Sequence, residues 1–233
     1  MIIEVRKLVK RFGPKAVLRG LDFTVDQGEF VALIGPNGAG KTTFLRVLST
    51  LARPSLGKVS LAGYQLPAQA AEVRRSLGVV SHQPLLYGDL TAEENLRFYG
   101  RMYAVPDLRQ RIDLVLELVG LPARRNDLVR TFSRGMQQRL AIGRAILHDP
   151  AVLLFDEPYT GLDQQACDML DRVLREVAGR GRTVVMTSHD LARVQDLASR
   201  FDILAGGLIA ASTSRSGLGR KNLLDFYRQA LAG

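Results

Sequence analysis

The sequence predicts an α/β fold, a mixed sheet wrapped by helices with a helical lobe inserted into it, and three observations point there. Short apolar segments rich in Val, Ile and Leu recur: "IIEV", "LDFTV", "FVALIG", "VSLAG", "LGVVS", "AVLLFD", "TVVMTS" and "FDIL". They are enough strands for a mixed sheet. Between the fifth and sixth of them, from about residue 84 to 148, the pattern changes to the spacing of amphipathic helices. The third segment runs directly into "GPNGAGKTT" and then "FLRVLSTL", so a strand, a glycine-rich loop and a helix follow one another.

That loop comprises Gly35, Pro36, Asn37, Gly38, Ala39, Gly40, Lys41, Thr42 and Thr43. It fits G-x-x-x-x-G-K-[ST] in the strand-to-helix context the motif requires. Glycines let the backbone fold until successive N–H groups point at phosphate oxygens, and the new helix adds the positive end of its dipole. Lys41 then reaches the β and γ phosphates, and the Thr42 hydroxyl can ligate Mg²⁺. A plain glycine-rich turn accounts for the glycines but not for Lys-Thr between strand and helix. Loops of this kind serve kinases, GTPases, motors, DNA repair enzymes and transporters, so the rest of the chain must choose among them.

In the lobe, Thr91 and Glu94 form a capping box for "TAEENLRFYGRMY". The segments "LRQRIDLVLELVGL" and "MQQRLAIGRAIL" carry apolar residues at i, i+3, i+4 and i+7. Pro84, Pro106, Pro122 and Pro150 fall at the joints. Leu96, Tyr99 and Tyr103 share a helix face, with Tyr87 near in sequence, and that face suits either core packing or an interface. Ser133 is a natural N-cap and Gly135 frees the backbone beside it, which makes a second anion-binding helix start. One nucleotide already has the first, so a second suggests a triphosphate shared between two subunits.

"AVLLFDEP" ends a strand with Asp156 and Glu157. Beside a phosphate loop, the first carboxylate can hold Mg²⁺ through water and the second can polarise the water that attacks the γ phosphate. "TVVMTSHD" ends in His189, whose imidazole could contact the γ phosphate and orient that water. His82 and His148 are read as structural. "STSRSGLGR", from about Ser212 to Arg220, reads as a flexible connection to a last short helix, "NLLDFYRQALA". The division expected is residues 1–211 as one domain, with 212–233 as that connection and helix.

Composition bounds the function. With 233 residues, 46% of them hydrophobic, the chain can bury a sizeable core. Its single cysteine, Cys167, excludes an intrachain disulfide and fits a small packed side chain in a reducing compartment. The start "MIIEVRKLVKRFG" is too charged for a secretory signal, and no stretch approaches about 18 uncharged apolar residues. With 32 Lys and Arg against 23 Asp and Glu, the net charge of +9 suits a nucleotide, a nucleic acid or an anionic membrane surface. No run of about five basic residues marks such a patch, and scattered arginines on a solvated surface give the same charge.

Taken in order, these motifs resemble the ATP-binding cassette of ABC transporters, over roughly residues 2 to 210. The resemblance implies an ABC-type ATPase core of P-loop NTPase fold, with a mixed sheet and an inserted helical subdomain. It makes Phe12 the aromatic that stacks on adenine, Gly35 to Thr43 the phosphate loop and Gln83 a sensor of the γ phosphate or Mg²⁺. "FSRGM" becomes the signature, in which Ser133 and Gly135 contact a partner's γ phosphate. Asp156 takes the Mg²⁺ role with Thr42 and Gln83, Glu157 is the catalytic glutamate, "TGLD" with Asp163 is the D-loop and His189 is the switch histidine. The signature usually reads Leu-Ser-Gly-Gly-Gln, and Phe132, Arg134 and Met136 depart from it. Two copies are expected to close head to tail over two ATP molecules, bound to a separate membrane-spanning subunit at the cytoplasmic face of the cell membrane. The phrases "LLYGDLTAEENLRFYGRMY" and "FDEPYTGLD" look like the ATP-binding subunit of the haem exporter used in cytochrome c maturation, and also like cassettes of drug, lipid and polysaccharide exporters. A soluble ABC-type ATPase acting on nucleic acid is the other class. It usually needs a coiled coil, zinc sites or two cassettes in one chain, so nucleic acid is not the expected partner.

Overall fold

A computed structural model describes residues 1–81, 83–219 and 222–232, so His82 lies outside the described residues. The hairpin β1 (Ile3–Phe12) and β2 (Lys15–Val25) leads to β3 (Phe30–Ile34), helix α1 (Lys41–Leu48), β4 (Leu56–Leu61), β5 (Tyr64–Leu66), α2 (Ala70–Arg75) and β6 (Leu77–Val80). The lobe follows as α3 (Ala92–Met102), α4 (Leu108–Leu118) and α5 (Arg134–Ile146), with single 3₁₀ turns at Pro122–Arg124 and Val129–Thr131. Then come β7 (Val152–Asp156), α6 (Gln164–Gly179), β8 (Thr183–Thr187), α7 (Leu191–Leu197), β9 (Arg200–Ala205), β10 (Leu208–Ser214), α8 (Arg215–Leu218) and α9 (Leu223–Ala232).

The strands expected in one mixed sheet divide between two. A six-stranded sheet runs β10-β9-β3-β8-β7-β6, parallel except where β10 joins antiparallel to β9. A separate antiparallel sheet runs β2-β1-β4-β5. The reason lies in burial. Every residue of β3, β7 and β8 is buried, which is the signature of a parallel sheet covered on both faces. Phe30, Ala32 and Ile34 face a core shared with the helical lobe, whereas Val31 and Leu33 face a core capped by the second sheet. That second core grips α1: Phe44 is fully buried and meets Phe23 edge to face, 5.0 Å between ring centres. Burying such a side chain stabilises by about 1.5–3 kcal/mol, so the antiparallel sheet fixes the helix that follows the glycine-rich loop.

The lobe forms as its capping signals predict. The Thr91 hydroxyl accepts from the Glu94 N–H (3.1 Å) and the Thr91 N–H donates to the Glu94 carboxylate (2.8 Å). Leu96 is fully buried and belongs to the core. Cys167 is buried in α6, as a packed side chain should be. Residues 212–218, expected as part of a flexible connection, carry secondary structure instead, and Arg220 at its end lies outside the described residues. β10 extends through Ser214 because β9 offers it a ladder, and Ser214 then caps α8 by accepting from the Gly217 N–H (3.0 Å). The last helix is present as α9.

The residue that ties the first helix of the lobe to the loop before it was not singled out by its pattern. Asn95, fully buried in α3, accepts from the Tyr87 N–H (2.8 Å) and donates to the carbonyls of Tyr87 (3.0 Å) and Thr91 (3.0 Å), thereby pinning the loop that leaves β6. Asn95→Ala strands those groups in an apolar surround. We expect a loss of about 1–3 kcal/mol in urea unfolding, the usual penalty for orphaned buried polar groups; an unchanged midpoint would show that water replaces the side chain.

Candidate functional site

The site begins as a row across the parallel sheet. Thr187 of β8 is in register with Leu33 of β3 on one side and with Asp156 of β7 on the other. The next residues of these strands therefore emerge together at one sheet edge. Moreover β3 and β8 are neighbours whose connections leave in opposite directions across the sheet, from β3 toward β6 and from β8 toward β9. Ligands of open α/β sheets bind outside the carboxyl ends of the strands at such a point.

Gly35 turns off β3 so close to β9 that a Cβ there would lie 2.1 Å from the Leu204 carbonyl oxygen, which restricts the position to glycine. Gly40 precedes α1 at φ 112° and no side chain caps the helix. The first N–H groups of α1 are thus left for an outside acceptor, which is the cradle a phosphate needs. Lys41, buried at 7% exposure, donates from Nζ to the Gly35 carbonyl (2.6 Å) and the Pro36 carbonyl (3.2 Å). Burial holds its pKa below the ordinary value, against the pull of Glu157 and Asp156.

Asp156 is buried and accepts from two hydroxyls on one oxygen, Thr187 at 2.8 Å and Thr42 at 3.2 Å. Glu157 follows in the left-handed region, φ 50°, at a cost of about 1–2 kcal/mol for a residue with a side chain. Its N–H is tied to the Thr187 hydroxyl (2.9 Å), which holds the turn. The carboxylate accepts from the His189 N–H (3.2 Å), and its other oxygen, buried and without a hydrogen bond, lies 3.1 Å from His189 Nε2. Burial pushes the Glu157 carboxyl above its usual range while His189 and Lys41 pull it down. Such a carboxylate is suited to take up a proton.

These residues surround a cavity of about 410 Å³ lined by Asn37 to Thr43, Glu157 and His189. Lys15 and Arg19 also line it; sequence reasoning missed them, because only the β1–β2 hairpin brings them there. Phe12 is 53% exposed at the tip of that hairpin, with the Lys10 ammonium 4.9 Å over its ring. A neighbouring cavity of about 560 Å³ has Thr42, Asp156 and Glu157 on one side and Arg134, Gln138 and Thr160 among the rest of its lining. Ser133 and Gly135 line neither. The Ser133 hydroxyl caps α5, accepting from the Met136 N–H (3.3 Å). Arg134 lies against Gly161, where a Cβ would meet its Nε at 2.9 Å. Gln83 is exposed in the loop after β6, and its carbonyl accepts from the Ser81 hydroxyl (2.7 Å); Pro84 beside it reaches the larger cavity. His148 is structural: it stacks on Tyr103 at 3.9 Å, sits 3.2 Å from the Leu77 carbonyl, and burial lowers its pKa to about 4. Among the described residues no group of three or more His, Cys, Asp or Glu forms a metal cage. The oxygens of Thr42 and Asp156 are instead the donor pair open to a divalent cation beside a phosphate.

Comparison with known proteins agrees. The profile of the family described as "ABC transporter" matches residues 18–160. The linearmycin resistance ATP-binding protein LnrL of Bacillus subtilis is 36% identical over 91% of this chain and 69% of its own length. The Nod factor export ATP-binding protein I of Cupriavidus pinatubonensis is 38% identical over 88% of this chain and 64% of its own length. The chain therefore spans about two thirds of these relatives. Among solved structures, an ATP-binding subunit of an ABC transporter superposes with TM-score 0.92 at 31% identity, covering 99% of this chain and all of that one. The cassette MJ0796, described as a dimer in a post-hydrolysis state with ADP and Pi, superposes with TM-score 0.83 at 26% identity over 91% and 98% of the two chains.

Removing the Lys41 ammonium leaves phosphate charge uncompensated in a site shaped for it. Lys41→Ala is expected to abolish ATP hydrolysis in a phosphate-release assay, and wild-type turnover in that variant would remove Lys41 from the site.

Proposed function

This chain belongs to the ABC transporter family, and from that premise we propose that it is the ATP-hydrolysing subunit of an exporter, working as a head-to-tail pair on a separate membrane-spanning chain. The carrying observation is the linked set Thr42, Asp156, Thr187, Glu157 and His189, joined by contacts of 2.8 to 3.2 Å around the glycine-rich loop. In this reading the loop N–H groups and Lys41 hold the β and γ phosphates. Thr42 and Asp156 would hold Mg²⁺, with Gln83 as a third candidate ligand, and the ion would supply further positive charge there. Glu157 takes the proton of the attacking water, and His189 fixes Glu157 and reaches the γ phosphate. Ser133 and Gly135 line neither of these two cavities of their own chain, and a second copy would bring them to this triphosphate; MJ0796, described as dimeric, supports that arrangement.

We read the cargo as one of the drug, lipid or polysaccharide class. The relatives named for linearmycin resistance and Nod factor export favour it, and the haem reading drawn from short shared phrases finds no support in them. No helix among the described residues is long and apolar enough to cross a membrane, so in this reading the pore belongs to another chain and this one sits at the cytoplasmic face. Its docking surface is the exposed apolar rim of the lobe. Tyr87 (49% exposed) packs edge to face on Phe98 at 5.1 Å, with Leu85 and Met102 also exposed. Leu96, Tyr99 and Tyr103 serve the fold instead: Leu96 is core, the Tyr99 hydroxyl donates to the Leu85 carbonyl (2.6 Å) and Tyr103 stacks on His148.

Glu157→Gln keeps the shape and loses the base, so it should bind ATP and accumulate as a dimer. Light scattering with and without ATP reads this, and a strictly monomeric species at saturating ATP counts against the shared site. Tyr87→Ala should leave melting temperature and free-subunit ATPase nearly unchanged while weakening pull-down of the membrane chain by about 1–3 kcal/mol, the scale of an interface anchor. A large fall in melting temperature would return Tyr87 to the fold.

A further inference from the structure

One side chain outside the phosphate site gathers the segments that carry it. Arg193 lies one turn into α7, which starts immediately after His189 and its N-cap Asp190. Its guanidinium reaches Asp171 at 3.0 Å and Gln164 at 3.1 Å on α6, and Asp190 at 3.2 Å, with Asp168 further off at 3.7 Å. The Arg193 N–H also donates to Asp190 (3.1 Å), so that cap is held twice. The guanidinium plane lies 5.5 Å over the ring of Tyr159, whose hydroxyl donates to the same Asp171 (2.6 Å). Tyr159 is two residues past Glu157, and Gln164 follows Asp163, the N-cap of α6.

These contacts close a ring. From Glu157 it passes to His189 by the contacts already described, through Asp190 to Arg193, through Asp171 to Tyr159, and along the backbone to Glu157 again. We propose that Arg193 is a positioning residue for hydrolysis, holding the His189 turn over Glu157 and fixing that turn to the Tyr159–Asp163 segment. The assignment rests on the hydrolytic reading above. It also explains the residue type. A planar fork can serve acceptors on α6 and α7 in different directions at once, whereas an ammonium offers compact, point-like donation. Three carboxylates converge on one cation here, so its removal leaves Asp168, Asp171 and Asp190 repelling one another beside the His189 turn.

A mere clamp between α6 and α7 would affect stability alone, and the test separates the two roles. With the full chain, Arg193→Ala should lower kcat for Mg²⁺-ATP by about 10- to 100-fold, the cost of a misplaced catalytic group, with KM nearly unchanged; Arg193→Lys should recover part of it. In a His189→Ala background the same substitution should add no more than about twofold, because both changes act through one group. Independently of turnover, the His189 imidazole resonance, assigned from His189→Ala, should shift in Arg193→Ala while that of His148 stays. A kcat within twofold of wild type, a full multiplicative loss on top of His189→Ala, or an unmoved His189 resonance would each overturn the proposal. If Arg193→Ala does not fold, Arg193→Lys and Asp171→Asn carry the same comparisons. A wild-type chain that hydrolyses no ATP would sink the hydrolytic reading, and the resonance would still decide the positioning role.

Discussion

Everything at the site depends on one alignment across the parallel sheet. Thr187 stands level with Asp156 and with Leu33, so β7 and β8 end at the same height and β3 one residue beyond it. A hydroxyl at that level can bind a carboxylate on its neighbour while also receiving the N–H of the next residue, and Thr187 does both. Slipping the β7–β8 pairing by one residue would carry Asp156 to the opposite face of the sheet, away from the Thr187 hydroxyl, and send Phe155 into the core on the other side, since successive side chains point to opposite faces. Both faces are apolar here, so side-chain size and shape, not polarity, oppose that slip. Leu153 and Phe155 fill one core and Val152 and Leu154 the other, so packing sets the register and the register sets the chemistry.

The second sheet and the lobe extend this logic outward. The antiparallel strands bury Phe23 against Phe44 and so hold α1, whose uncapped start faces the phosphate position. They also supply Lys15 and Arg19 to the cavity wall, and the Arg19 N–H donates to the Gly207 carbonyl (3.1 Å), tying the hairpin to the β9–β10 turn. At the entry of the lobe the Asn95 hydrogen bonds tie α3 to the loop that arrives from β6, and at its exit α5 is joined to β6 itself, where the Arg144 guanidinium donates to the Val79 carbonyl at 2.7 Å. Both joints meet the segment around β6 that carries Gln83 at its end. A displacement of that loop therefore has a stiff route into the lobe, although each joint is made of only a few bonds.

The parts legible in the sequence were those with local causes. The glycine-rich loop, the capping box at Thr91 and the cap at Ser133 each depend on residues within a few positions of one another, and each formed as read. The division into two sheets was not legible, because "LDFTV" and "FVALIG" look alike as apolar runs and differ only in which distant strand they meet. β10 was missed for a related reason. "LIAASTS" has little apolar contrast, and the free edge of β9 rather than its own composition makes it a strand. Lys15 and Arg19 gave no signal beyond charge among many charges. Thr187 did leave one: a hydroxyl two residues before His189, at the end of a run with no other polar side chain after Thr183.

The chain also carries an asymmetry that its own fold does not resolve. It presents two helix starts shaped for anions: Gly40 leads α1 into the glycine-rich cavity, and Ser133 leads α5, whose first residue Arg134 lines the neighbouring cavity. Were both to serve a triphosphate bound to the same copy, Ser133 would have to line that cavity, and it does not. Arg134 sharpens the point, since a cation at the first position of α5 is disfavoured by the helix dipole and forms no ion pair among the described residues. Positive charge without a partner, at the positive end of a helix, is tolerable where an anion arrives from outside. In the proposed head-to-tail pair a two-fold axis would supply one at no further cost in sequence, because it would place each copy's α5 start on the other copy's loop and use both features twice. In this way the proposed pair turns an unfavourable local choice into a reason for the two copies to close only when the triphosphate is present.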